Sequence, residues 1–79
     1  VALYALSTCV WCKKTKRLLD ELGVEYDYVF VDQLKGREEE EAMSEVARLN
    51  PSQSFPTLAV DGQTVIVGFK ETKIRQALS

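Results

Sequence analysis

The chain has no histidine, and among its 79 residues only two cysteines, two prolines, one methionine and one tryptophan. Without histidine, nucleophilic catalysis of the Ser-His or Cys-His kind is excluded. One protomer also cannot assemble a structural zinc site, which wants four Cys or His ligands. Two cysteines allow one crosslink at most, and because they are Cys9 and Cys12, closing so short a loop removes little unfolded-chain entropy. Stapling is therefore a poor reason for them. No basic surplus exists either: the net charge of −2 gives no electrostatic reason to expect nucleic acid as a partner. The longest apolar stretches are about six residues, far short of the roughly 20 that a membrane helix needs, and no charged leader precedes an apolar run. The expectation is a monomeric protein of a reducing, cytoplasmic compartment, with no membrane partner. The chain opens at Val1 rather than at methionine, which leaves room for a leader removed ahead of it. With 46% hydrophobic and 28% charged residues, residues 1–79 read as one small globular domain.

Val1–Leu6 is a short apolar run ended by Ser7-Thr8, a pair suited to a loop or helix start, and predicts a buried strand. From Val10 to Leu22, Trp11, Thr15, Leu18 and Leu22 share one helical face while Lys13, Lys14, Lys16, Arg17, Asp20 and Glu21 occupy the rest. Gly23 closes this helix. Val24–Val31 alternates and then becomes continuously apolar, as a strand does on entering a core. Strand, helix and strand form a right-handed βαβ unit with parallel strands. After a loop at Gln33–Gly36, Arg37–Leu49 reads as a second helix, with Glu38–Glu41 where the macrodipole favours anions. That acidic run is a solvated helix start, and Asn50-Pro51 stops the helix. Thr57–Val60 and Thr64–Val67 flank Asp61-Gly62, a hairpin signal. Lys70–Leu78 gives a last helix with Ile74, Ala77 and Leu78 inward. Packing explains Tyr4, Tyr26 and Tyr28. The order is βαβαββα.

Cys9-Val10-Trp11-Cys12 stands at the junction of the first strand and first helix. The unpaired N–H groups and dipole of a helix start favour an anion, and they act mainly on Cys9. Cys12 lies nearly one turn deeper, on the same side. Cys9 can then attack a partner's disulfide and Cys12 can attack the resulting mixed disulfide, so two cysteines suffice for exchange. Two inert core thiols, or a metal or cluster site shared between protomers, are the competing readings. Trp11 serves either as a plug on the core or as an exposed platform against a partner. The Lys13, Lys14, Lys16 and Arg17 cluster fits a solvated helix face as well as it fits a source of positive charge for the thiolate.

The succession of strand, Cys-x-x-Cys, helix, strand, helix, Phe55-Pro56-Thr57, hairpin, Gly68-Phe69 and helix resembles the glutaredoxins of the thioredoxin superfamily over essentially the whole chain. The resemblance implies an α/β thioredoxin fold: a four-stranded mixed sheet in the order 2-1-3-4, flanked by three helices, the first and third on one face. It implies disulfide reduction with Cys9 as nucleophile and Cys12 as resolving thiol. It also implies a cis Phe55–Pro56 bond whose neighbourhood, Ser54, Phe55 and Pro56, faces Cys9 and offers its backbone to substrate. The bland reading of that proline is a trans residue starting a strand. Val10, Trp11, Gly68 and Phe69 would border the substrate groove, with Glu71 near the amino end of a bound glutathione. A glycine after an edge strand is also commonly a mere turn.

No bound cofactor is implied. The electron donor would be glutathione, another thiol or a thioredoxin-reductase-type flavoenzyme, and the substrates disulfide-containing proteins or glutathione mixed disulfides. Some members of the family instead share an iron–sulfur cluster between two protomers through the first cysteine and external thiols. The chain departs from the common family pattern at Val10-Trp11, where Pro-Tyr is usual, at Leu6, where many members carry lysine, and at Lys70, where the position is often neutral in glutathione users. A weaker hold on glutathione and a better fit to a protein tail are the expected consequences.

Overall fold

The computed structural model describes residues 1–61 and 63–78. Gly62 of the Asp61-Gly62 turn and Ser79 lie outside the described residues. The elements are β1 (Ala2–Ala5), α1 (Val10–Glu21), β2 (Asp27–Phe30), a 3-10 turn (Val31–Gln33), α2 (Arg37–Leu49), β3 (Thr57–Ala59), β4 (Val65–Val67) and α3 (Glu71–Leu78). The sheet order is β2-β1-β3-β4. β1 pairs with β2 in parallel and with β3 antiparallel, and β3 pairs antiparallel with β4. This is the expected four-stranded mixed sheet with three helices.

Register decides which side chains meet. Leu3 lies opposite Leu58, and Leu58 opposite Ile66, so these three share a face with Ala5, two residues along β1. Leu18 and Leu19 of α1 and Ile74 of α3 complete one cluster with them. Each is at most 6% exposed, and removing a large member would cost about 2–5 kcal/mol. The opposite face takes α2, which buries Val46 and carries Glu45 and Arg48 close enough to act on the Tyr4 hydroxyl. That hydroxyl is shifted upward, first by its burial and then by the Glu45 charge.

The helix ends follow the sequence closely. Gly23, at φ 68°, takes the left-handed conformation that closes α1. Its N–H donates to Asp20 O at 3.1 Å and that of Val24 to Leu19 O at 3.3 Å, a Schellman pair. Asp61 Oδ1 accepts from the backbone N–H groups of Gln63 and Thr64 at 2.7 and 2.8 Å, tightening the β3–β4 connection. Among the described residues, no helix is long and apolar enough to cross a membrane.

Two elements depart from the sequence expectation. The second strand is not Val24–Val31, because β1 offers only Ala2–Ala5 as a partner and pairing ends with it. The buried residue of that stretch, Val31, sits in the 3-10 turn, and Tyr28 on the edge strand is half exposed. In α3 only Ile74 is buried and Leu78 partly so, whereas Ala77 is exposed. An eight-residue helix covers the sheet with a single narrow stripe.

Candidate active site

Cys9 is the N-cap residue of α1, with extended backbone (φ −84°, ψ 120°), and its sulfur accepts the N–H of Cys12 at 3.2 Å. A small polarisable side chain here takes the place of the Ser or Asp oxygen that usually caps a helix. An anionic sulfur at that point faces the positive end of the helix dipole. Cys9 is partly exposed, while Cys12, one turn in, is 1% exposed and packed into the main core cluster. Burial first, and then its hydrogen bond with Cys9, push the Cys12 thiol from 9.0 up to about 12. The two sulfurs are free thiols in very different surroundings.

The loop that brings up Cys9 is tied at both ends. Cys9 N–H donates to Leu6 O at 3.2 Å. Asp32, just past β2, accepts from the backbone N–H of Ser7 at 2.9 Å and also from its hydroxyl. These bonds hold the Asp32 carboxyl below its ordinary range. Neither partner stands out in the sequence, because a contact between residues 25 apart leaves no local pattern.

The loop between α2 and β3 meets the first turn of α1 at Trp11, with which Phe55 and Pro56 line one depression. The Phe55–Pro56 peptide bond is cis, and Pro56 O accepts the N–H of Gly68 at 2.9 Å. Among the described residues, Phe55 N–H and C=O have no hydrogen-bond partner. A polar cluster built on buried Asn50 and Thr57, with exposed Ser52 and Ser54, holds the loop in place. Asn50, 4% exposed, donates through Nδ2 to Ser54 O and to the hydroxyls of Ser54 and Thr57 at 3.1–3.2 Å. Its Oδ1 accepts from the Ser52 hydroxyl at 2.7 Å and from the Ser52 N–H at 3.2 Å. Thr57, fully buried, donates to Ser54 O at 2.7 Å. In the sequence Asn50 reads only as a helix stop. Asn-Pro-Ser directly after a helix was nevertheless an available signal for an Asx turn.

Five of the predicted groove residues come together: Trp11, Phe55, Pro56, Gly68 and Phe69 line a depression of about 210 Å³. Trp11 is not a plug on the core. It is 55% exposed, stacks on Phe69 with ring centroids 6.0 Å apart, and has Lys14 Nζ 4.6 Å from its ring. The buried face of α1 is instead Cys12, Thr15, Leu18 and Leu19.

Three predicted residues stand outside this groove. Val10 is exposed at the helix start. Ser54 lines none of the depression, since its carbonyl already accepts from Asn50 and Thr57. Glu71 accepts from Arg75 Nε at 2.8 Å, one turn along its own helix, and borders a neighbouring pocket instead. Gly68 has φ 82°, and a Cβ there would meet nothing closer than Lys70 Cε at 3.9 Å. Its backbone conformation, rather than crowding, calls for glycine. The basic cluster divides: Lys14 and Arg17 border the neighbouring pocket, whereas Lys16 turns to Asp20, Tyr26 and Tyr28. Among the described residues, no three His, Cys, Asp or Glu side chains cluster to hold a metal ion.

A partly exposed cysteine capping a helix, a buried one beneath it and a cis-proline loop that meets the tryptophan between them, all on a 2-1-3-4 mixed sheet, define a thioredoxin-fold protein of the Cys-x-x-Cys type. The chain belongs to the glutaredoxin family, whose model matches residues 1–65. It is 33% identical to an uncharacterised glutaredoxin-like 8.6 kDa protein of the rubredoxin operon of Clostridium pasteurianum, over 94% of this chain and 91% of that protein. Its fold is similar to that of methanoredoxin from Methanosarcina acetivorans, with a TM-score of 0.95 and 56% identity, covering 99% of this chain and 82% of that one. A glutaredoxin from Methanosarcina mazei Go1 is similar with a TM-score of 0.91 and 62% identity, covering 99% of this chain and 76% of that one.

Proposed function

We propose that the protein is a dithiol disulfide reductase in which Cys9 attacks and Cys12 resolves. The observation that carries this reading is the asymmetry of the pair: Cys9 is accessible and receives the Cys12 N–H, whereas Cys12 is buried with its proton held up to about 12. The Cys9 thiolate attacks one sulfur of a substrate disulfide. A Cys9–substrate bond forms, the substrate S–S bond breaks, and the departing thiolate takes a proton from solvent. Once Cys9 is in the mixed disulfide, its sulfur no longer competes with Cys12 for charge, which removes one cause of the elevated Cys12 value. Cys12 then loses its proton and attacks Cys9. The second substrate thiol leaves, and a Cys9–Cys12 disulfide remains, so that two electrons have passed to the substrate. Two external thiols, or a reductase, restore the dithiol.

The unpartnered Phe55 N–H and C=O support docking of an extended cysteine-containing segment by strand-like pairing, with Trp11 and Phe69 as apolar walls. No bound cofactor is required, and the protein acts as a monomer in a reducing, cytoplasmic compartment. Disulfide-containing proteins are the substrates. Glutathione or a thioredoxin-reductase-type flavoenzyme is the donor. The test is turnover of a small neutral disulfide, bis(2-hydroxyethyl) disulfide, with each donor in parallel. Turnover with at least one donor, abolished by Cys9→Ser, is expected. No reduction even by the pre-reduced protein in single turnover overturns the reading.

A further inference from the structure

Beside the apolar groove, and sharing Phe69 with it, lies a second pocket of about 310 Å³ bordered by Lys14, Arg17, Glu21, Glu71 and Arg75. Its charges do not cancel. Glu71 is taken up by Arg75 at 2.8 Å. The ion pairs among the described residues join Lys16 to Asp20, Arg37 to Glu41, Arg48 to Glu45 and Arg75 to Glu71, so Lys14 and Arg17 belong to none of them. Only Glu21 opposes these two cations within the pocket, leaving a local positive surplus on a chain whose net charge is −2. Lys14 stands at the boundary, its ammonium 4.6 Å from the centroid of the Trp11 ring that walls the groove. The surface next to the dithiol is thus composite: a backbone with open hydrogen bonds at Phe55, then an apolar hollow, then two cations without carboxylate partners.

We propose that the protein substrate carries an acidic side chain close in sequence to its disulfide cysteine, and that this carboxylate docks on Lys14 and Arg17. The inference rests on the disulfide-reductase reading and names the substrate class for that same site. An extended segment paired at Phe55 presents alternate side chains to one side. One residue can then fill the Trp11–Phe69 hollow while another, further along, reaches the cations. Complementary charge at such a rim raises the encounter rate and sets register, and it fades with salt.

The test uses synthetic peptides with one cysteine in mixed disulfide with 2-mercaptoethanol, with Glu, Gln or Lys placed in turn at each of the four positions on either side. Single-turnover reduction by the whole, pre-reduced protein is followed at low and high ionic strength. At one or more positions Glu should be reduced about 3- to 10-fold faster than Gln, with Lys slowest, and the gap should close at about 0.5 M salt. In folded Lys14→Gln/Arg17→Gln protein the Glu preference should vanish, and in Arg17→Glu it should shift toward Lys. Equal rates for Glu and Gln at every position, or a preference that survives in the double variant, overturns the proposal while leaving the reductase reading intact. Faster reduction of glutathione disulfide than of any acidic peptide, lost in the same variants, assigns the cations to glutathione carboxylates and overturns it too. Failure to reduce any peptide overturns the reductase reading itself.

Discussion

The two faces of the sheet are built from different chemistry. On one, α1 and α3 bury aliphatic side chains against Leu3, Leu58 and Ile66, and the Cys12 sulfur is part of that apolar cluster. On the other, at the end of α2, Asn50, Ser52, Ser54 and Thr57 form a hydrogen-bonded knot that holds the Phe55–Pro56 loop. The first face gives the Cys12 thiol its resistance to ionisation. The second holds half-buried Phe55 and buried Pro56 beside Trp11 without placing a side chain of its own in the groove. On the proposed reading, burial sets reactivity and polar satisfaction sets docking, so substitutions on the two faces should fail in different ways.

The largest separation comes from Cys9→Ser, which should bring disulfide reduction down to the uncatalysed rate with little change in thermal stability, as a transient-kinetic assay beside a melting curve would show. Full activity in that variant would place the chemistry elsewhere. Asn50→Ala comes next. It leaves Thr57 and the Ser54 hydroxyl short of a buried donor and should lower stability by about 1–3 kcal/mol in denaturant titration. Peptide reduction should fall, while the rate at which iodoacetamide modifies Cys9 stays the same. A matching loss of Cys9 reactivity would show that the two faces are not separable.

An alkaline titration gives a smaller, graded effect. Because the folded-state value of Cys12 is raised from 9.0 to about 12, the folded protein keeps a proton that the unfolded chain gives up. The stabilisation is therefore complete below about pH 9 and declines as pH rises toward 12. Cys12→Ala should flatten that decline in stability measured against pH. The smallest effect belongs to Leu6→Lys: a cation restored near a glutathione carboxylate should improve glutathione turnover by about 0.5–1 kcal/mol, or 2- to 5-fold. An unchanged rate would mean that glutathione does not lie against Leu6.

Much of this architecture was legible because its signals are local. The span Arg37–Leu49 follows from an acidic first turn, helical spacing and the Asn50-Pro51 stop, and α2 has those bounds. The Cys-x-x-Cys at a strand–helix junction, and the convergence of Trp11, Phe55, Pro56, Gly68 and Phe69, were equally readable. The misses depend on partners distant in sequence. The second strand is shorter than its pattern suggests because the four-residue length of β1 limits pairing, which the apolar run at Val29–Val31 does not reveal. The resemblance puts Glu71 at the groove, whereas the i,i+4 spacing gives it Arg75 as a neighbour, which competes with any ligand for its carboxylate. The Ser7–Asp32 tie and the knot around Asn50 require the fold to be known first.

The assignment of roles to the two cysteines is tested most directly by mass spectrometry of Cys12→Ser and Cys9→Ser proteins after incubation with a single-cysteine peptide in mixed disulfide with 2-mercaptoethanol, at neutral pH. Cys12→Ser should accumulate a stoichiometric mixed disulfide on Cys9, since the resolving attack is gone, and Cys9→Ser should accumulate none while Cys12 stays buried and protonated. Adduct on Cys12 in the Cys9→Ser protein, with none on Cys9 in its counterpart, would contradict the account.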